Sequence, residues 1–499
     1  MAREVRLYGG WRQPRGVGLG QLTPGQTLVV LGVCAVCALL LTFSVRTLWV
    51  TGPVALVVGI GAAARWRGEP LLLVVVRAVR WQRGVRAGQD EYVSGVLTQY
   101  GPDADLPGLL APVRLLECED GDGGHFGLAW NRRTGLLAAT LRVAPVSTAL
   151  ADDGTVDGWV AQWGAWLARL GHVPSVAWVT VTVDTAPDPG STLADYAEAR
   201  IDPDAPEIAV QVLRELVRTS PAASAAVETL VTIVFDPARS PQPAETFAEA
   251  VAETGRLLAG LQRALTGCGV TVLGRASAAR LAGMIRVAFD PGARAEVARA
   301  LVRDPDDTGR EAGAEQLLAS GAAGPLAARE LPDRYEHDSG VSVGWVWALA
   351  PRQHVTSDVL IPLLAPGRWP RRVALSYRPY TAEQAAEHLN RQVNAAQYRS
   401  ELRTVRQGTE SATDAADRAR AEQAAAEEAQ GAGLGLMSLA VTTTVTDPAE
   451  LDAAVADVEQ RGGTSRIRLR RAWRAQAAVF AATLPLGIYL PDAVRRRAR

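Results

Sequence analysis

Residues 177–184 read AWVTVTVD, an alternation that predicts a β-strand. Two more strand-like runs follow, TLVTIVFD at 229–236 and GVTVL at 269–273. The segments between these runs, 205–219 and 244–266, carry helical patterns of apolar residues. The order strand, helix, strand, helix, strand is typical of an α/β or ferredoxin-like sheet domain.

The same character extends toward the N-terminal side of these runs. The segment FGLAWNRRTGLLAATLRV at 126–143 alternates about a turn at 131–135, which predicts a β-hairpin. A first cytoplasmic α/β domain is therefore predicted over 101–302. After it, residues 303–340 are rich in Asp and Gly and lose the periodic pattern, which predicts a linker or a long surface loop.

A second cytoplasmic α/β domain is predicted over 341–490. It begins with VSVGWVWALA at 341–350 and includes the strand LMSLAVTTTV at 436–445, which a helical pattern and a short strand follow. A long helical arm is predicted over 381–433, where Ala, Glu, Gln and Arg dominate. Such a composition favours a helix but cannot bury a face, so the arm is expected to be exposed or to bind a partner. Residues 491–499 form a basic tail.

Two uncharged apolar runs precede the first domain. They are TLVVLGVCAVCALLLTFSV at 27–45 and LWVTGPVALVVGIGAAA at 48–64. About 20 apolar residues cross the hydrocarbon core of a bilayer, so each run is near spanning length. Only Arg46 and Thr47 separate them. The sequence therefore predicts a two-helix transmembrane hairpin over 27–64.

Arginines flank the hairpin on both sides, in a basic N-terminal arm (1–26) and in a basic interfacial amphipathic segment (65–100). Cationic flanks stay on the cytoplasmic side, so both termini are expected in the cytoplasm of a multi-pass protein of the inner (plasma) membrane. Within 65–100, the stretch PLLLVVVRAVRWQRGVR is predicted to be a helix lying in the interface, with a core helix that has a solvated face as the alternative. The predicted membrane-interface residues are Arg12, Arg15, Arg65, Trp66, Arg67, Arg77, Arg80, Trp81 and Arg83.

Charge and composition exclude several function classes. The 499 residues carry 52 basic and 53 acidic side chains, a formal net charge of −1, which excludes a globally basic nucleic-acid binder. The sequence contains no Lys, so every basic residue is Arg. Mechanisms that need an amine are excluded, among them Schiff-base chemistry and the phosphate-loop lysine of ordinary nucleotide-triphosphate hydrolases.

The residues that carry chemistry in other proteins are sparse. The five histidines form no H-E-x-x-H motif and no pairing with Cys at zinc spacing, and the C-x-x-C of Cys34 and Cys37 lies in an apolar run where thiols act as filler. The triplet Glu336, His337 and Asp338 is the most suggestive, but adjacent residues point in different directions on a regular element. The sequence thus predicts no enzyme, no catalytic, cofactor-binding or metal-binding residues, and no cofactor.

A resemblance to a known family rests on three features taken together. The chain has a basic arm with GGWR at 9–12, a short two-span hairpin, and a cytoplasmic α/β body without a catalytic signature. In this combination it resembles EccE, an inner-membrane component of actinobacterial type VII secretion. The resemblance implies an integral membrane scaffold that docks a translocation ATPase and sister subunits.

The last third of the chain is similar to a second family. RRVALSYRPYTAEQAAEHLNRQV at 371–393, the long arm, the 436–463 stretch and LPLG at 484–487 are similar to the amino-terminal, non-ATPase half of type IV secretion and conjugation ATPases. This resemblance implies a membrane component of a conjugative, type IV DNA-transfer apparatus whose motor would be a separate chain.

The expected function is therefore that of a scaffold in a protein secretion apparatus of type VII, with the DNA-transfer apparatus as the alternative. Expected partners are the lipid bilayer, other membrane subunits of the secretion system and a separate translocation ATPase, within an oligomeric complex. Binding of nucleic acid stays open, and it would require a basic face on the body. The fold class expected is α+β, with ferredoxin-like α/β units behind the transmembrane hairpin.

Overall fold

The computed structural model describes residues 8–9, 24–43, 48–66, 69–94, 105–120, 124–147, 151–187, 197–198, 200–219, 225–301, 323–351, 353–407 and 412–496. The chain forms two compact units. We call one the body (Met1–Trp11, Asp90–Ala382 and Gly431–Arg499) and the other the helical unit (Arg12–Gln89 and Glu383–Gln430). Most of the predicted arm 1–26 and the end of the predicted tail lie outside the described residues.

The described strands are β1 (Tyr8–Gly9), β2 (Arg65–Trp66), β3 (Glu69–Pro70), β4 (Glu91–Val93), β5 (Val113–Glu119), β6 (His125–Asn131), β7 (Leu137–Pro145), β8 (Val176–Pro187), β9 (Ala225–Phe235), β10 (Val270–Arg275), β11 (Ala327–Glu330), β12 (Tyr335–His337), β13 (Gly340–Leu349), β14 (His354–Val355), β15 (Arg371–Pro379), β16 (Gly435–Val445) and β17 (Arg468–Arg471). Thirteen of them form one antiparallel sheet in the order β4-β11-β12-β13-β16-β15-β8-β9-β7-β6-β5, with β10 also on β7 and β17 also on β13. The fold is therefore mixed α+β, as the sequence predicts at this level.

The described helices are α1 (Pro24–Phe43), α2 (Leu48–Ala63), α3 (Leu71–Arg86), α4 (Asp153–Leu170), α5 (Glu207–Thr219), α6 (Phe247–Ala264), α7 (Ala278–Phe289), α8 (Arg294–Ala300), α9 (Ile361–Leu364), α10 (Ala382–Gln407), α11 (Ala412–Ala429), α12 (Leu451–Thr464), α13 (Gln476–Ala482) and α14 (Leu490–Arg496). Helix starts follow their capping residues: the side chain of Asp152 accepts from the backbone N–H groups of Gly154 and Thr155 at the start of α4. Ser277 caps α7 in the same way.

The two predicted α/β domains are the two halves of this one sheet. Strands β5 to β10 form one half, and the other half consists of β4, β11, β12, β13, β15, β16 and β17. The halves join where β8 pairs with β15, from Val179 opposite Tyr377 to Thr185 opposite Arg371. The boundary that the loop composition indicates is therefore not a boundary between separate sheets.

The C-terminal end of the predicted linker 303–340 is not a loop in the structure. Residues 327–330 and 335–337 are strands β11 and β12, which pair with each other and with β4 and β13. Their sequences, AARE and YEH, are too short for an alternating pattern to be recognised. Residues 302–322 lie outside the described part of the chain.

Each face of the sheet carries its own core. On one face, Val179 and Ile233 pack with Leu167 of α4 and Leu258 of α6. On the other face, Trp178 and Val234 pack beneath α13 and the segment that follows it, including Leu484, Leu486 and Tyr489. The alternation of β8 thus places its valines in one core and its tryptophan in the other.

Between the apolar residues of this second face, buried hydroxyl groups pair across neighbouring strands. Thr140 lies 2.9 Å from Thr232, and Thr180 lies 2.9 Å from Ser376, measured between side-chain oxygens. Thr180 and Ser376 lie on β8 and β15, so one of these pairs bridges the two halves of the sheet. Cross-strand hydroxyl pairs of this kind stabilise a sheet by a few tenths of a kcal/mol up to about 1 kcal/mol each.

Three helical segments separate strands of the body along the chain. The first contains α1, α2 and α3, and it separates β1 of the body from β4. The second contains α5 and connects the paired strands β8 and β9. The third contains α10 and α11 and connects the paired strands β15 and β16. The predicted helical arm 381–433 corresponds to this third segment.

Helices α1 and α2 lie where the sequence predicts the two arms of the hairpin. Among the helices in the described residues, none is both long enough and apolar enough to cross a membrane. The predicted transmembrane character of the hairpin is therefore not supported by these helices.

A buried arginine ties α12 to the sheet. The side chain of Arg371 on β15 is 1% exposed, and its Nη1 donates to Oδ2 of Asp457 at 3.2 Å. Its Nη2 donates to the carbonyl of Ala365. Asp457 also accepts from Nε of Arg461 at 2.8 Å, so the carboxylate bridges two guanidinium groups. Burial lowers the pKa of Arg371 to about 10, which still leaves it charged at neutral pH.

We expect Asp457→Asn to lower the free energy of unfolding by about 3 kcal/mol, because it leaves Arg371 charged, buried and without a carboxylate partner. This is the low end of the usual range, since 28% of the Asp457 side chain is exposed. The measurement is chemical denaturation of the full chain. The matched control is Asp452→Asn on the exposed first turn of α12, for which we expect a loss below about 1 kcal/mol. Equal losses for the two variants would contradict this assignment.

Candidate membrane interface

Helices α1, α2 and α3 follow one another in the helical unit, where α1 packs on α2 and α2 on α3. The short hairpin of β2 and β3 connects α2 to α3, and the N–H of Leu71 donates to the carbonyl of Ala64 at 2.8 Å. The chain therefore turns back immediately after α2, so that α3 begins beside the end of that helix.

The outer surface of α1 and α2 is apolar. Large side chains on these two helices are exposed: Leu28, Leu31, Val36, Leu39, Trp49, Leu56, Val57 and Ile60. Trp49 reaches 86% exposure and Leu28 reaches 71%. Contiguous apolar surface of this kind is unusual on a water-exposed protein and marks a region that contacts lipid or another protein.

Helix α3 is divided along its length. Its first half exposes Leu73, Val75, Val76 and Val79. Its second half exposes Arg80, Arg83 and Arg86. The sequence has the same order, an apolar start followed by arginines at intervals of three. Because α2 packs against α3, the exposed side of α3 contains both classes of residue in succession.

The predicted interface residues therefore have different environments. Arg80 and Arg83 are exposed on the second half of α3, and Trp66 on β2 is 59% exposed. Arg77 and Trp81 lie on the half-buried side of α3. The backbone of Arg65 belongs to β2. Arg12, Arg15 and Arg67 lie outside the described residues. Arg86, which belongs to the same exposed arginine set, was not among the predicted site residues.

The position of the arginines suits the end of a helix. Arg83 and Arg86 lie in the last turn of α3, where the partial negative charge of the helix C-terminus favours a cation. An anionic surface beside this turn would meet three exposed guanidinium groups. An apolar layer beside the first half would meet mainly aliphatic side chains, with Arg77 half-buried among them.

The body contains a histidine and a serine in direct contact. Nε2 of His337 lies 2.8 Å from Oγ of Ser342, whose oxygen lies 2.8 Å from Oγ1 of Thr444. Nδ1 of His337 lies 2.5 Å from the carbonyl oxygen of Phe289. A carbonyl only accepts, so Nδ1 carries the proton and Nε2 accepts from Ser342. This is the arrangement of a base beside a hydroxyl nucleophile.

Its surroundings make the pair structural. His337 is 3% exposed and Ser342 is 1% exposed, and the imidazole packs against the rings of Phe289, Tyr335 and Phe480. Burial lowers the pKa of His337 to about 4, and the charge of Arg372 acts in the same direction. Both side chains are almost completely buried in this conformation. His337 thus lies in strand β12 and not in a linker, and Glu336, His337 and Asp338 all line one open groove.

An open groove of about 820 Å³ lies over the turn between β12 and β13. The acidic residues that line it beside this turn accept hydrogen bonds from neighbouring groups. Oδ1 of Asp338 accepts from the backbone N–H groups of Leu326 and Ala327, and Oδ2 accepts from Arg286. Glu336 accepts from Arg334 at 2.8 Å. Burial raises the pKa of Asp338, and its hydrogen bonds oppose the rise.

The thiols of the body are protected from reaction. Burial raises the pKa of Cys118 to about 11, and it raises the pKa of Cys268 as well. Thiols with raised pKa stay protonated and react slowly. Across the described ranges, no group of three or more His, Cys, Asp or Glu side chains is placed to hold a metal ion.

Comparison with known proteins yields no relative: no family model matches the chain, and no curated protein is similar to it.

We expect His337 to make the protein less stable as the pH falls from about 6.5 to about 4. In this pH range the imidazole of the unfolded chain takes up a proton, while the imidazole of the folded chain stays neutral. The free energy of unfolding therefore falls by about 3 kcal/mol in total between the ordinary pKa and the lowered one. The measurement is the melting temperature of the full chain between pH 7 and pH 4.

The comparison is with His337→Gln, which keeps an amide donor for Phe289 but does not titrate. The titration of Asp338 changes the stability in the opposite direction, but Asp338 is present in both proteins. Its effect therefore cancels when the two proteins are compared. The variant His172→Gln, at an exposed position, controls for removal of an imidazole. The assignment is contradicted if His337→Gln and the unchanged protein lose the same stability between the two pH values.

Proposed function

We propose that this chain is a membrane-anchored scaffold component of a secretion or DNA-transfer apparatus. The helical unit holds the chain at the inner face of the plasma membrane, and the body docks other subunits, including a separate translocation ATPase. The observation that carries the proposal is the exposed surface of α1, α2 and α3, which is apolar on the hairpin and basic at the end of α3.

Lipid is the covering that fits this surface. Covering a large aliphatic side chain contributes roughly 1.5–3 kcal/mol, so the exposed residues of α1 and α2 together supply a strong driving force for insertion. The exposed arginines of α3 would then meet anionic headgroups, at about 1 kcal/mol per residue. One layer of lipid thus offers hydrocarbon to the first half of α3 and anionic headgroups to the second half.

The path of the chain supports a location of both hairpin ends on one side of the membrane. The chain leaves the body after β1, forms the hairpin and α3, and enters the body again at β4. A hairpin that starts and ends in the same folded body enters and leaves the bilayer by the same face. Both termini would then lie in the cytoplasm, in agreement with the arginines on both flanks.

The lengths of the helices set the depth of insertion. The 16 residues of α2 extend about 24 Å, which is shorter than the roughly 30 Å of the hydrocarbon core. A hairpin of this length is accommodated by local thinning of the bilayer or by a tip that stops within it. The multi-pass form predicted from the sequence is the deepest of these arrangements.

The class of apparatus follows from sequence resemblance. The arm, the hairpin and the body without a catalytic signature favour a type VII secretion system with an EccE-like scaffold. A type IV DNA-transfer system is the second candidate. It is favoured by the C-terminal third, in which β15, β16, α12, β17 and α13 pack as one continuous part of the body. This is the region that resembles the non-ATPase half of the conjugation ATPases.

We expect the full chain to stay in the membrane pellet after an alkaline carbonate wash. A triple variant with Leu31→Arg, Leu39→Arg and Leu56→Arg should move to the supernatant, because each arginine costs about 2.5–3.5 kcal/mol near the bilayer centre. The matched control is Ile208→Arg with Leu216→Arg, since these residues of the body are equally exposed and apolar. Extraction of the unchanged chain by carbonate, or a C-terminal reporter that is active only outside the cell, would contradict the proposal.

We expect mild detergent extracts to yield the chain together with a translocation ATPase. Copurifying secretion subunits of type VII would support the first candidate, whereas a relaxase or salt-dependent duplex binding by the body would support the second. For duplex DNA the logarithm of affinity falls with a slope of about −0.9 per neutralised phosphate against the logarithm of salt concentration. Recovery of the chain with neither an ATPase nor any secretion subunit would count against the scaffold role.

A further inference from the structure

Strand β17 of the body belongs to a stretch that is rich in arginine. Residues 466–474 read RIRLRRAWR and contain five arginines, and no Asp or Glu occurs between 460 and 491. The chain as a whole has a net charge of −1. Strand β17 forms the centre of the stretch and pairs with β13. Positive charge is therefore concentrated on one strand of a chain whose charges otherwise balance.

Three of these arginines form a row on one side of β17. On the buried side, Ile467 is 5% exposed, and Leu469 packs in the core between β13, β16 and α12. Side chains alternate along a strand, so Arg468 and Arg470 lie on the opposite side. Arg468 and the preceding Arg466 are exposed, and Arg470 is half-buried. We call Arg466, Arg468 and Arg470 the basic row.

The exposed arginines of the basic row contribute little to the fold. Nη1 of Arg466 lies 3.5 Å from the carbonyl oxygen of His354, which is long for a hydrogen bond. In the part of the chain that the structure describes, neither Arg466 nor Arg468 pairs with a carboxylate. Arg371, by contrast, is buried against Asp457. The guanidinium groups of the row are thus available to an external anion.

The backbone of Arg466 has an unusual conformation. Its φ is 53°, in the left-handed region that favours glycine. It also follows the end of α12, and glycine is the usual left-handed residue at a helix end. Arg474, on the other side of β17, has a φ of 58°. A long side chain at such a position costs stability, and strain of this kind is found where the side chain has a functional role.

Lipid does not fit the basic row. Segments that bind membranes combine cations with exposed apolar side chains, as α3 does with Arg80 and Val79. On β17 the aliphatic residues Ile467 and Leu469 pack in the core instead. The row therefore offers charge without an apolar surface that could enter a bilayer.

The spacing of the row suits a polymer with regularly spaced phosphates. Residues two apart on a strand lie about 7 Å apart along its axis, so Arg468 and Arg470 form a linear pair of cations, and Arg466 adds a third before them. A guanidinium group binds a phosphate through two parallel N–H···O bonds, and its plane can also stack on an unpaired base. The grooves of a duplex admit a helix or a two-stranded ribbon, whereas β17 is a strand of the large sheet. A single strand can lie along the row.

We propose that the basic row of β17 binds single-stranded nucleic acid through its phosphate groups. The inference deepens the DNA-transfer candidate of the proposed function, on which its biological role rests, by naming a partner of the body.

The experiment measures by fluorescence anisotropy how the full chain, in a mild uncharged detergent, binds a labelled oligothymidylate. An oligonucleotide of about 20 residues exceeds the roughly 4–16 nucleotides that one such surface covers. We expect the triple variant Arg466→Gln, Arg468→Gln and Arg470→Gln to reduce the slope of log affinity against log salt concentration by about 2. The reason is that each phosphate contact contributes about 0.7 to this slope for a single strand. At about 0.1 M salt the affinity should fall on the order of 100-fold.

The matched control is the triple variant Arg132→Gln, Arg133→Gln and Arg239→Gln. These exposed arginines lie beside β7 and β9, several strands away from β17 in the sheet, and their removal changes the net charge equally. Exposed charges more than about 10 Å apart are screened at this salt concentration, so the affinity should stay within about twofold.

A single variant separates binding from folding. Arg466→Gly relieves the left-handed backbone, so the melting temperature should stay the same or rise. The affinity for the oligothymidylate should nevertheless fall on the order of fivefold, because one phosphate contact is lost.

The proposal is overturned if the triple variant keeps its affinity, if the control triple loses as much, or if Arg466→Gly lowers the melting temperature without changing the affinity. Equal affinity for a duplex of the same length would also overturn it. The same holds if polyglutamate, or micelles with an anionic lipid, displace the probe as well as unlabelled oligothymidylate does, since the partner would then be an acidic protein or lipid. Membrane anchoring is measured separately by the carbonate wash, so failure of one proposal is distinguishable from failure of the other.

Discussion

The pairing of β8 with β15 is the constraint on which the body depends. Seven consecutive residue pairs join a half-sheet that ends at β8 to a half-sheet that ends at β15. Without them each half would expose a long edge of unpaired N–H and carbonyl groups, which is a site of aggregation in β proteins. The same two strands also carry Thr180 and Ser376, whose hydroxyl groups meet in the buried face. Arg371 at the end of this register then fixes α12 through Asp457.

A sheet closed in this way leaves its helical segments available for other roles. The segment with α1 to α3 presents apolar and then basic residues, while α5 presents an apolar face with balanced charge. The body itself contributes buried polar contacts, such as His337 with Ser342, that fix its strands and have no access to solvent.

The sequence was informative wherever the deciding interactions are local. Alternation in 177–184, the turn at 131–135 and the apolar runs before residue 64 predicted strands, a hairpin and helices that the structure contains. The partner of β8 was not predictable, because no local pattern encodes a pairing with residues nearly two hundred positions away. His337 looked like a loop residue because its aromatic neighbours, Phe289 and Phe480, come from distant segments.

The long separation between β8 and β15 has a consequence for biosynthesis. Val181 cannot pair with Leu375, its partner across the sheet, until Leu375 has left the ribosome. At about 5–20 residues per second, this delay is on the order of ten to forty seconds. Helices α1 and α2 leave the ribosome well before that time, while the sheet is still incomplete. The two halves of the sheet can therefore pair only after α1 and α2 have been synthesised, because their contacts join residues far apart in the sequence.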